Sequence, residues 1–432
     1  MFLFKRSFFA VAAFIFAGFS ATHATAETTI ETLLAQGHYT QALLETEVHL
    51  AAGPATGDLH LLRGFAYLGL GQLDAAKQQA DAAGRFGKPY LYFILQGHIA
   101  ARNKAFNYAN LWYRRASDIA ANDAETKTAT SLSGQMQSVR KWVWTANISL
   151  RQSDNLNFAT DNDEVELDGL PFVLAEENTA QEGSTITAAL AGKYKLVNTS
   201  NQLLQAGLTG QIGLTSGSGV TAKGFGMVLD GQRVFGADTA DQIVLRYGLT
   251  AARNTPAGGT PTVSKAIYVQ ASGALVPDLQ WSVRLNASRT QGEDAINTQS
   301  DLSATYRISG RINDGLGYGI GITHGRIISD NPHASSTHNA IRFEAQSKLE
   351  LFPVNLGIFA DYAVHDYDMQ APFFDELRHD RIATIGINLA PQDWTVMGMQ
   401  PSITLRKSRR DSNIDINDAA SQDIFVGLRS SF

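Results

Sequence analysis

Cysteine is absent from the 432 residues, so disulfides, thiolate metal sites and a lipid-modified N-terminal cysteine are excluded. Past the N-terminus the chain also lacks the run of roughly 18 or more apolar residues that a spanning helix needs. It has no basic excess: the formal net charge is −6, which argues against a nucleic-acid partner. Proline is scarce, with 11 residues against 38 glycines. With 44% hydrophobic and 18% charged residues, the chain is neither disordered nor collagenous. A membrane protein built of strands stays open, because alternating strands average out in hydropathy.

The first positive signal is export. Lys5 and Arg6 precede an apolar run from Ser7 to about Ala21, and Ala24-Thr25-Ala26 ahead of Glu27 offers a cleavage site. Residues 1–26 therefore read as a signal peptide, with an N-terminal membrane anchor as the alternative. Residues 27–138 read as a periplasmic, tetratricopeptide-like helical domain. An offset of 34 aligns Gly37 with Gly71, Tyr39 with Leu73 and Ala42 with Ala76. An offset of 33 aligns Gly64 with Gly97, Leu73 with Phe106, Ala76 with Ala109 and Ala83 with Ala116. Small residues at fixed places let paired helices approach closely, and stacked pairs present a concave surface suited to a partner protein. An irregular helical bundle is the alternative.

From Lys141 onward the period changes from helical to two. Leu279, Trp281, Val283, Leu285 and Ala287 interleave with Gln280, Ser282, Arg284, Asn286 and Ser288, giving one apolar and one polar face. Fourteen such windows run from 141–152 and 183–195 to 397–410 and 421–432, joined by connections that are alternately long and short with few exceptions. The expected fold is α plus membrane β-barrel: helical repeats followed by a 14-stranded antiparallel outer-membrane β-barrel over residues 139–432. Outer-membrane lipid would touch the apolar face and water the other. Even strand parity puts both barrel ends, and hence the helical domain, on the periplasmic side. Trp142, Trp144, Trp281 and Trp394 lie near strand ends or faces and are candidates for aromatic girdles. Gly315, Gly317, Gly319 and Gly321 recur at alternate positions, which suits a curving strand or close packing.

Parity also sends Arg246, Arg284, Arg307, Arg342, Arg406 and Arg429 into the lumen, with Glu344 as a counter-charge. They either keep the interior wet or form an anion-attracting ring, as in a channel. Asp154, Asn155 and Asn157, like Asp411, Ser412 and Asn413, suit Asx-type turns that close strand ends. Both groups also lie beside the seam of first and last strands, so gating or client release is the other reading. The final strand places Ile424, Val426, Leu428, Ser430 and Phe432 on one face, and its terminal aromatic resembles the signal read by the barrel-assembly machinery.

Three stretches resemble a known family, the surface lipoprotein assembly modifiers, or Slam, the outer-membrane component of the type XI secretion system. Ser153 to Ala159 looks like the family's Asp-Asn-x-Asn segment, and Gly169 to Leu174 like the apolar patch after it. Arg410 to Ile414, ahead of Ile424 to Phe432, looks like its closing loop and last strand. The resemblance implies translocation of an exported client, a surface lipoprotein or a soluble haem- or metal-acquisition protein, from periplasm to cell surface. Barrel-assembly machinery and periplasmic chaperones are the other candidate partners.

Two other functions compete. A porin-like passive channel with a periplasmic protein-binding adaptor would use the arginines. A barrel hydrolase would draw on His338, Asp361, His365 and His379, but no spacing ties them into a triad. No catalytic group, cofactor or metal ligand set is expected, since His and Asp are not clustered at ligand spacing.

Overall fold

The structure, a computed structural model, describes residues 27–431 apart from 168–169, 217–220, 237–240, 256–258, 293–297, 313–315, 350–353, 373 and 392–398. The proposed signal peptide, Gly169, Gly315, Trp394 and Phe432 lie outside the described residues.

Among the described residues seven helices come first: α1 Glu27–Ala35, α2 Tyr39–Ala52, α3 Gly57–Gly69, α4 Leu73–Ala83, α5 Tyr90–Arg102, α6 Phe106–Asp118 and α7 Asp123–Val139. Local chemistry fixes their starts. Thr56 caps α3 by accepting from Leu59 N at 3.2 Å. At α7, Asn122 accepts from Glu125 N, while the Glu125 carboxylate accepts from Ala121 N.

The turns inside the first three helix pairs share one geometry. Gly37, Gly71 and Lys104 have φ of 80°, 79° and 60°, all left-handed. In each, the next residue's N–H closes the turn, from His38 to Leu33 O, Gln72 to Tyr67 O and Ala105 to Ala100 O, at 2.8–2.9 Å. Ala42, Ala76 and Ala109 are fully buried in the core, and Tyr39, Leu73 and Phe106 pack against it. Gly64 receives Leu95 and Gly97 receives the Tyr113 ring so closely that a Cβ would collide.

The strands are β1 Trp142–Ser153, a small hairpin of β2 Glu164–Leu167 and β3 Leu170–Val173, then β4 Gly183–Asn198, β5 Gln202–Thr215, β6 Thr221–Phe235, β7 Ile243–Thr255, β8 Thr262–Val276 and β9 Leu279–Gly292. There follow β10 Gln299–Ile312, β11 Leu316–Ser329, β12 Ser336–Leu349, β13 Val354–Tyr367, β14 His379–Pro391, β15 Gln400–Ser412 and β16 Ala419–Ser431. All but the hairpin form one closed antiparallel ladder, completed by β1 against β16. The fourteen-strand barrel agrees with the alternation in the sequence, though several strands reach two or three residues further towards the long loops. The hairpin inside the first long loop was not anticipated. Its four-residue strands are too short to display a period.

Closure pairs apolar side chains around the outside: Ile148 faces Leu428, Leu150 faces Val426, Ile322 faces Ile341 and Leu405 faces Ile424. All of these but the half-buried Leu428 stay exposed, which in a soluble sandwich would be the wrong way round. Near the short-turn ends an aromatic belt forms. Trp142 stacks on Trp144 at 5.6 Å and meets Tyr194 at 5.1 Å. Trp144 covers Gly192, and Trp281 lies against Gly273 on the neighbouring strand; each ring occupies room that a Cβ would fill. No described helix is long and apolar enough to cross a membrane.

Candidate functional site

The polar face can be recognised by links that step over an intervening strand, which only converging, concave-side chains achieve. Lys193 Nζ on β4 reaches Asp230 Oδ1 on β6 at 2.7 Å. Arg307 on β10 pairs with Glu344 on β12, crossing β11 where Gly319 leaves the space: a Cβ there would sit 2.8 Å from Arg307 Nη2. Glu344 also receives Arg342 Nε at 3.4 Å, and Arg342 Nη1 contacts Asp361 Oδ1 at 3.2 Å. The glycine column therefore accommodates a charge network. Of the six arginines expected inside, Arg307, Arg342 and Arg406 are ion-paired. Arg246 donates to Gln232, and Arg284 stacks on Tyr268. Arg429 lines a separate recess with Asn147 and Asn254.

Sequence reasoning placed the seam of first and last strands but missed the ion pairs across it. Asp423 on β16 has a fully buried carboxylate that accepts from Arg151 Nε on β1 at 2.8 Å and from Arg406 Nε and Nη2 on β15 at 2.9 and 2.7 Å. Both guanidinium groups also lie over the Phe425 ring, at 5.8 and 4.8 Å. Two cations share one anion across the joint where the barrel closes.

Just beyond it, the Asn-rich loops interlock. Asn155 is 1% exposed; its Nδ2 donates to Ala159 O and to Ala420 O on β16, both at 2.8 Å, and its Oδ1 accepts from Ala159 N. Asp154 Oδ1 accepts from Gln422 N at 2.7 Å. Asn157 ties its loop to Thr179 O and Gln181 N. Asn413 accepts from His379 N and donates to Leu377 O. The Ser412 hydroxyl accepts from Ile414 N, and Asp411 accepts from Arg409 Nε. Arg410 Nη2 donates to Phe158 O at 3.3 Å, and its guanidinium lies 5.2 Å from that ring's centroid. Val165 of the hairpin and Ile414 are both buried and line a shared recess with Phe374. Asn155 thus joins the first long loop to the last strand, Asn157 closes that loop on itself, and Asn413 joins the closing loop to β14 and the loop before it.

The late-strand histidines named by the sequence make separate contacts. His338 stacks on His365 at 5.4 Å, His379 Nδ1 meets Asp366, and Asp361 is held by Arg342. No described group of three or more His, Asp or Glu is placed to hold a metal ion.

A closed antiparallel ladder that is apolar outside and charged inside is an outer-membrane β-barrel. Residues 298–432, which span the last seven strands, match the family described as surface lipoprotein assembly modifier. The resemblance carried by the closing loop and last strand is thereby borne out. No curated protein matches the chain. Among solved structures, a loop-deletion mutant of OmpT, an outer membrane protein of Vibrio cholerae, is 12% identical, covering 68% of this chain and 100% of that one, with a TM-score of 0.35. OccAB3 of Acinetobacter baumannii is 9% identical, covering 68% of this chain and 99% of that one, with a TM-score of 0.36.

Proposed function

We propose that the protein moves specific client proteins from the periplasm to the cell surface, the clients being surface lipoproteins or secreted haem- or metal-acquisition proteins. The observation that carries this reading is the family match over residues 298–432. The wet, charged lumen supports it by offering a polar path through the apolar belt. Both ends of the barrel sequence lie at the short-turn end, so in this reading the helical unit stands in the periplasm and holds the client before passage. Barrel-assembly machinery inserts the protein, and periplasmic chaperones deliver the client. Periplasm lacks ATP, so client folding at the surface supplies direction.

Co-expression with an exported candidate client from the neighbouring reading frame, followed by protease treatment of whole cells, tests the proposal. Client cleavage should require this protein; equal cleavage without it would refute the translocon. The second reading, a passive channel, is favoured by Arg246 and Arg284, which have no carboxylate partner among the described residues. A large, steady conductance in planar bilayers without any client would support that alternative.

A further inference from the structure

Charge is not balanced evenly around the lumen. Arg151, Lys193, Arg307, Arg342 and Arg406 each face a carboxylate. Arg246 and Arg284 have no ion pair among the described residues. Arg246 Nε donates to the neutral Gln232 Oε1 at 3.2 Å, and the Arg284 guanidinium sits 4.3 Å from the Tyr268 ring centroid. Both contacts hold a guanidinium in place without neutralising it.

One ladder row joins the pair: Gln232 faces Arg246, Arg246 faces Gln270, Gln270 faces Arg284 and Arg284 faces Thr305. Two strand spacings put the arginine backbones roughly 10 Å apart, within reach of one compact ligand for side chains this long. Gln270, Ser272, Gln280, Ser282 and Ser309 join them around a recess of about 580 Å³. Amide and hydroxyl donors beside two fixed, uncompensated cations suit negatively charged oxygen, and the planar guanidinium fork matches carboxylate and phosphate alike.

We infer that this wall of the barrel is a binding site for a small polyvalent oxyanion, whose carboxylate or phosphate groups are gripped by Arg246 and Arg284. The site stands whether or not the barrel moves proteins. Calorimetric titration of the detergent-solubilised full chain with citrate, and separately with pyrophosphate, tests it. At least one should bind, more weakly as salt is raised. Citrate alone would mark a carboxylate site and pyrophosphate alone a phosphate site. The double variant Arg246→Gln/Arg284→Gln should lose about tenfold in affinity per guanidinium removed. Arg429→Gln, in its separate recess, should leave affinity unchanged. Tyr268→Leu keeps both charges but frees the stacked guanidinium, so it should weaken binding by a smaller factor. Failure of both probes to bind overturns the site. So does undiminished affinity in the double variant or, should that variant fail to assemble, in Tyr268→Leu.

Discussion

Lys104 shows how one residue can break a pattern and reveal it. The turn geometry of Gly37 and Gly71 recurs at Lys104 with φ of 60°, where an L side chain is strained. A search for repeated glycines misses this turn, because the offset of 33 from Gly71 lands on lysine. Lys104→Gly should stabilise the helical unit by about 0.5–1 kcal/mol, read as a higher midpoint in its helical circular-dichroism melt. His98 makes a second prediction. Burial, with Arg102 acting in the same direction, pushes its imidazole down to about 4, and its Nδ1 lies 2.8 Å from the Tyr113 hydroxyl. The folded unit therefore holds this proton less tightly than the unfolded chain. Stability is full above the ordinary imidazole value near 6.5 and falls as pH drops towards 4, by up to about 3 kcal/mol. Melts of the wild type at pH 7 and 4.5 should differ accordingly, and His98→Gln should flatten that difference.

Strands carry their own legibility. Strict alternation assigns each side chain a face, and parity alone assigns Arg246, Arg284, Arg307, Arg342, Arg406 and Arg429 to the polar one. Partnership did not. Arg151 and Asp423 lie 272 residues apart, and nothing local to either announces the other. The glycine column in β11 was legible as a feature, but its use emerged only when β10 and β12 were seen to pair across it. Gly319→Leu should displace the Arg307–Glu344 bridge and lower the temperature at which the barrel loses its heat-modifiable gel mobility, a loss of about 1–3 kcal/mol. Gly319→Ala should cost less, because the atoms it meets are the ends of flexible chains. For the long loops, taken as facing outward as proposed above, we propose a fastening role for Asn155. Asn155→Ala should leave the barrel assembled while exposing loop 154–182 to protease on intact cells; unchanged protection would show that its bonds to Ala159 and Ala420 do not fasten the loop.

At the scale of the whole molecule, the joint between β1 and β16 concentrates risk. Asp423→Asn would leave Arg151 and Arg406 facing each other without their shared anion, which should cost the barrel about 3 kcal/mol or more, measured as a lower urea midpoint. Arg151→Gln added to that variant should recover part of the loss. Because the ring is finished only when the last strand made meets the first, every intermediate in its biogenesis has two raw margins of unmated amides and carbonyls, with a greasy flank beside them. Such a species is slow to mature and prone to clump, so this architecture makes the yield of finished protein depend on how briefly those margins stay open before the circle is complete.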